Sequence, residues 1–288
     1  MHAITGITGQ VGAQLADLLL KEGEAIRAVV RDASKAREWA ARGCEVALAA
    51  MGDRHALARA FEGAETVFVL LPSNFDPAPD SSENRVFTEA LAAALQEAAP
   101  ARVVCLSTIG AQATQENLLT RLQVLERALS RLPMPVAFLR AAWFMENARW
   151  DIEGARQQGV VSSFLQPADK PVPMVATVDV ARLAAQLLRE RWEGVRTVEL
   201  EGPSRVTPLE LAATLGRVLG REVENRTVPR AAWEALFRAQ GMSNPGPRMR
   251  MLDGFNEGWI EFERPAAVRK GSTTLDTVLG RLAARTDA

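Results

Sequence analysis

Three glycines, Gly6, Gly9 and Gly12 in the stretch GITGQVG, stand between a short apolar run and a segment in which Val11, Ala13 and Leu15 recur with helical periodicity. Residues of this type at this spacing can cradle phosphate. The first glycine permits a tight turn, the second lets backbone approach a pyrophosphate, and the third lets the following helix pack against the strand. The helix start then offers unpaired N–H groups and the positive end of its dipole to the anion. The spacing is G-x-x-G-x-x-G and not G-x-G-x-x-G, but its setting, directly after a strand and opening a helix, is the one a dinucleotide turn requires. Cofactor choice is read at the end of the second strand, in AVVRDASK. Arg31 and Lys35, one helical turn apart, can converge on a 2′-phosphate, which makes NADPH the expected cofactor. Asp32 either caps the next helix or faces the ribose.

These residues need a scaffold, and the chain supplies one in a repeating pattern. Short apolar runs (AIT, IRAVVR, CEVALAA, ETVFVLL, RVVCLST, VAFLR) alternate with amphipathic segments at 10–22, 33–42, 54–62, 82–98 and 117–131. Strands this continuously apolar are buried on both faces, as in a parallel sheet covered by helices. The expected fold is therefore α/β: a doubly wound, Rossmann-type parallel sheet over residues 1–150, followed by a smaller substrate-side lobe over 151–288, with the chain crossing back to the sheet. Ligands of such sheets lie at the carboxyl ends of the strands. Residues 71–74, 107–110 and 141–147 deserve the same scrutiny as the glycine turn.

In the lobe, Asp179 is expected to cap the helix of VDVARLAAQLLRE, and Thr207, Pro208 and Glu210 read as N-cap, first helical residue and capping-box partner. The stretch GMSNPGPRMRMLDGFNEGWIEF reads as a loop-rich lid, placing Phe255 and Trp259 over the substrate. Trp143 and Phe144, after the sixth strand, point to the same apolar pocket, and Phe75 is a further wall.

Bulk composition narrows the function. Lys plus Arg total 34 against 35 Asp plus Glu, a net charge of −1, so nothing in the charge balance favours nucleic acid or an acidic membrane surface. No apolar run approaches the roughly 20 residues of a membrane span, and the first residues lead straight into a strand, so a cytoplasmic protein acting on a small molecule is expected. His2, His55, Cys44 and Cys105 have no metal-ligand spacing, and both cysteines read as small buried hydrophobes. No metal is expected.

Taken together, GITGQVG, VVRDASKA, the Gly52–Asp53 pair, LLPS, LSTIGA and LRAAWFMEN resemble the NmrA-like group of atypical short-chain dehydrogenases/reductases. The resemblance covers residues 1–150 best. It implies Thr8, Gln10 and Val11 along the pyrophosphate, Asp53 near the adenine, Leu71 and Pro72 beside the nicotinamide, and Phe144 with Asn147 at the floor of the substrate pocket. Ser107, closing the fifth strand, joins the cofactor set.

The group includes NAD(P)H:quinone oxidoreductases and redox-sensing regulators that bind NADP without turning it over. Typical short-chain reductases use a Tyr-x-x-x-Lys pair as general acid, yet this chain has no tyrosine. Where related chains often carry a Lys or His, the helix NLLTRLQVLERAL has Leu122. Thr108, Thr120 and Arg121 remain as catalytic candidates: the hydroxyls, with Ser107, as a proton relay from water, and the guanidinium as an electrostatic stabiliser. Arg140 reads as structural, and Glu126 as a helix-face charge. The expected activity is NADPH-dependent hydride transfer to a small flat electrophile, a quinone by resemblance, with a regulator lacking turnover as the alternative. A homodimer or a regulatory protein partner is compatible with either. If Arg31 binds the 2′-phosphate, Arg31→Ala weakens NADPH binding by about 1.5–3 kcal/mol and leaves NADH nearly untouched, as read by quenching of tryptophan fluorescence.

Overall fold

The computed structural model describes residues 1–286. The first half runs β1 (His2–Ile4), α1 (Gln10–Lys21), β2 (Ile26–Val30), α2 (Ala33–Ala41), β3 (Glu45–Leu48), α3 (Arg54–Phe61), β4 (Thr66–Val69), α4 (Ser82–Ala98), β5 (Arg102–Thr108), α5 (Thr120–Leu129) and β6 (Val136–Ala141). The second half continues with β7 (Trp143–Phe144), a 3₁₀ turn (Met145–Trp150), α6 (Ile152–Gln158), β8 (Val160–Ser163), β9 (Met174–Val175), α7 (Thr177–Arg189), β10 (Val195–Glu201), α8 (Pro208–Leu219) and β11 (Glu224–Thr227). It ends with α9 (Trp233–Ala239), α10 (Gly246–Glu257), β12 (Arg269–Lys270) and α11 (Leu275–Thr286).

Eight strands form one parallel sheet in the order β12-β10-β6-β5-β4-β1-β2-β3. Strand β1 pairs with both β2 and β4, so the winding direction reverses there and opens a crevice at the carboxyl ends of β1 and β4. This is the Rossmann-like order expected from the alternating runs. Buried strand residues such as Val67, Val69, Val103 and Cys105 face α3, α4 and α5, while Ile4, Phe68, Val104 and Leu139 pack on the side of α1 and α7. Two later strands, β10 and β12, return to the sheet beyond β6, and β8–β11 and β7–β9 form small separate pairs.

Several charges behave differently from their sequence reading. Glu126 is not a solvated helix-face charge: it is buried, takes both Nε and Nη2 of Arg140 at 2.9 and 2.7 Å, and accepts the Ser107 hydroxyl. Arg140 also donates to Glu263 at 2.7 Å and Gln112 at 3.3 Å, joining α5, β6 and the segment after α10. Asp179 is not the N-cap of α7. That position is Ala176, and the carboxylate of Glu146 accepts the Thr177 amide and hydroxyl in its place. Asp179 lies within the first turn and accepts the amide and hydroxyl of Thr273 at 2.8 and 2.9 Å, fastening the approach to α11. By contrast, Thr207 and Glu210 form the full capping box, with Pro208 opening α8.

Asp151, immediately before α6, has no ion pair among the described residues, and burial pushes its carboxyl up from 3.8 to about 7. The folded protein thus holds a proton there that the unfolded chain has released. Stability contributed by the neutral form is full below 3.8 and is lost as pH rises toward 7. Partial solvent access reduces the effect, so Asp151→Asn is expected to stabilise the protein by about 1–2 kcal/mol at pH 8. The gain in Tm should vanish near pH 4, as measured by thermal unfolding across that range.

Candidate functional site

The turn after β1 is shaped by close approach. Gly6 has φ +61°, and a Cβ on it would sit 2.7 Å from Leu70 Cδ1 at the end of β4. A Cβ on Gly12 would fall 2.3 Å from the Gly6 carbonyl oxygen, too close for any side chain. Gly9 donates its amide to that same oxygen at 2.9 Å and acts as N-cap of α1 without a side-chain cap. No acidic residue occupies the first turn. Thr8, Gly9 and Gln10 are exposed, while Val11 is buried beneath them. The turn therefore presents backbone donors and a positive helix end to solvent with nothing of its own to neutralise them.

At the end of β2, Arg31 is exposed and makes no hydrogen bond or ion pair within the described residues. Lys35, also exposed, lies 3.6 Å from Glu38. Asp32 takes the capping alternative: its carboxylate accepts the Ser34 amide at 2.8 Å, and that hydrogen bond holds its carboxyl below the usual carboxylate range. Asp53 likewise caps α3 through the Ala56 amide at 2.9 Å.

Past β4, Leu71 and Pro72 open a cleft of about 480 Å³ between the starts of α4, α5 and α10. Arg121 lines it and donates Nη1 to the Pro72 carbonyl at 2.8 Å. Burial lowers the pKa of this guanidinium, and only the more distant Glu83 opposes that effect. Thr120 is also in the cleft, its hydroxyl accepting the Asn117 amide at 2.9 Å. Ser107 is turned toward Glu126, and Thr108 ends β5 opposite Ala141 of β6. Leu122 is buried in the hydrophobic core behind the cleft.

The aromatic candidates gather elsewhere. Trp143 and Phe255 meet edge to face at 5.2 Å, and neither they nor Phe75, Phe144, Asn147 and Trp259 line this cleft. Phe75 is exposed beneath the Arg248 guanidinium. Phe144 pairs with Val175 in the β7–β9 ladder, and Asn147 sits half-buried on the 3₁₀ turn that follows.

The stretch read as a loop-rich lid is a correction: residues 246–257 are helix α10, with Met249, Met251, Leu252 and Phe255 buried. Its apparent turn residues have helical roles. Pro247 opens the helix, and Gly258 closes it with φ +91°. Gly254 is required within it because a Cβ there would lie 2.6 Å from the Trp259 ring.

Reading the helix as a loop also hid the place of Arg250 in the cleft. Arg250 and Asn244 form part of the cleft, and Asp76 accepts the Ser243 and Asn244 amides at 2.8 and 2.6 Å, fastening this segment to the loop after β4. An aspartate in a Pro-rich loop gives no sequence sign of so distant a partner.

Known proteins match this arrangement along nearly its whole length. A (4-alkanoyl-5-oxo-2,5-dihydrofuran-3-yl)methyl phosphate reductase of Streptomyces griseus is 34% identical over 77% of this chain and 74% of its own. Quinone oxidoreductase 2 of Escherichia coli is 29% identical over 84% of this chain and 82% of its own. An Escherichia coli NADPH-dependent quinone oxidoreductase, solved in complex with NADPH, superposes with a TM-score of 0.81 at 25% identity over 98% of this chain and 99% of that one. The family profile spans residues 2–251, and the chain belongs to the NmrA-like family.

Proposed function

We propose that this protein is an NADPH-dependent reductase that delivers hydride to a small, flat electrophile, with quinones as the first class to test. The observation that carries the reading is the pairing of a glycine turn free of acidic groups with an unpartnered Arg31 at the end of the neighbouring strand. A pyrophosphate fits the first and a 2′-phosphate the second. Asp32, engaged by Ser34, leaves that end of the groove to Arg31 and Lys35, which favours NADPH over NADH. Leu70, which a Cβ on Gly6 would meet at 2.7 Å, precedes Leu71 and Pro72 of the cleft, and this adjacency supports a nicotinamide end held beside them. The relatives named above, a quinone reductase and a butenolide phosphate reductase, act on compounds of the proposed kind.

NADPH, when bound, supplies the hydride; the chain's own part is to hold and orient. Gly9 and the first residues of α1 bind phosphate, Arg31 and Lys35 select the 2′-phosphate, and Leu71 with Pro72 packs the reacting end. By the resemblance, Leu122 stands where related chains often carry a basic residue, so the proton follows from solvent, as a reduced quinone permits. That same replacement favours the second reading, a regulator that binds NADP without turnover.

Titration with NADPH and NADH, followed by loss of reduced-nicotinamide absorbance on adding a panel of quinones, separates the two. The reductase is expected to bind NADPH at least tenfold more tightly than NADH and to oxidise it with at least one acceptor. Binding without oxidation across the panel would leave the regulator, and absence of binding would reject both.

A further inference from the structure

Buried Arg140 and half-buried Arg121, both near the carboxyl edge of the sheet, are solvated by the protein in opposite ways. Arg140 is saturated by Glu126, Glu263 and Gln112. Arg121 has no carboxylate within ion-pair distance among the described residues. It donates Nη1 to the Pro72 carbonyl, its Nε is buried without a partner, and Nη2 makes no hydrogen bond within the described residues. Burying a guanidinium without a counter-ion is unfavourable, and a fold tolerates it where a ligand completes the site. Glu83, the nearest acidic group, is already engaged by the Asn74 amide at 2.8 Å. Glu116 also borders the cleft but is exposed to solvent.

A second guanidinium faces the same cleft from the other side. Arg250 of α10 lies 3.8 Å from Asp253, but Asp253 is held in a two-pronged pair by Arg230 at 2.6 and 2.9 Å. The exposed Arg250 is thus left with a shared, distant carboxylate and the face of the Trp259 ring at 5.6 Å. Leu71, Pro72, Phe87 and Val124 give the cleft apolar wall, beside the Glu83 and Glu116 carboxylates that also line it. A ligand matched to these walls is a flat apolar body carrying one anionic group.

We propose that the cleft selects electrophiles bearing an anionic substituent, a sulfonate, carboxylate or phosphate monoester, which Arg121 and Arg250 grip while the planar body lies against Leu71 and Pro72. This assignment rests on the reductase reading for the identity of the ligand as substrate. It makes Arg121 a specificity residue and leaves proton delivery to solvent.

The test compares anthraquinone-2-sulfonate with the neutral 2-(hydroxymethyl)anthraquinone. Both are titrated against the NADP⁺-loaded protein, where no turnover intervenes, and then assayed as acceptors with NADPH. The sulfonate is expected to bind at least tenfold more tightly. Arg121→Gln should weaken it tenfold or more and the alcohol less than twofold, Arg121→Lys should restore part of the loss, and Arg250→Gln should weaken the sulfonate several-fold.

Equal affinity for the two probes, or parallel losses for both in the variants, would overturn the assignment. If Arg121→Gln does not fold, as judged by circular dichroism, the partly exposed Arg250 carries the comparison alone. Charge-selective binding without NADPH oxidation would fail the reductase reading and leave the anion site standing. Oxidation without charge selectivity would do the reverse.

Discussion

The carboxyl edge of the sheet in this fold depends on one steric constraint: helix α1 starts so close to the turn before it that Gly12 has no room for a single added carbon. That approach is what brings the first amides of α1 level with the carboxyl ends of β1 and β4, where the winding of the sheet reverses. Were α1 displaced outward, its free N–H groups would face bulk water, and the contact between the Gly6 turn and Leu70 that leads toward the cleft would be lost. A binding edge of this kind is built from backbone, so its specificity resides in what surrounds it, and here that is Arg31 on one side and the cleft on the other.

A buried ionic cluster holds the opposite flank in register. Arg140 reaches from β6 to Glu126 on α5 and to Glu263 beyond α10, while Glu199 on β10 accepts the amides of Glu263 and Arg264. Burying such a group of charges gains little net stability over an apolar packing of the same shape, but its directional bonds define where α5 and the lobe sit. Arg121 projects from the same α5, so the placement of its guanidinium in the cleft is inherited from this cluster.

Much of the scaffold is legible in the sequence, because strands covered on both faces are unbroken apolar runs and because glycine spacing and capping boxes are local signals. The helices read at 33–42, 54–62 and 82–98 match α2, α3 and α4 to within a residue at either end. What escapes is set by partners far away in the chain. Glu126 reads as a surface charge until Arg140 is beside it, Asp179 reads as a cap until Thr273 arrives, and Gly254 reads as a turn until the Trp259 ring explains it. The cleft combines both kinds of residue. Leu71 and Pro72 follow from a strand end and Thr120 and Arg121 from the resemblance that singles out the helix after the fifth strand, whereas Arg250 depends on a helix that its glycines and prolines disguise.

The pair of bonds from Asp76 to the amides of Ser243 and Asn244 joins positions 167 and 168 residues apart. Contacts of such high sequence separation bear the greatest loop-closure entropy and are rewarded only after the intervening elements are in place. The Gly6–Gly12 turn, by contrast, is closed by the Gly9 amide on the Gly6 carbonyl and by Leu70 at the end of β4, all within the first 70 residues. During synthesis the turn after β1 can therefore close against β4 while the ribosome is still adding the second half of the chain, and the cleft gains its last wall only when residues 244–250 have emerged. Assembly thus proceeds from the glycine turn outward, and the cleft is the last surface of the molecule to be completed.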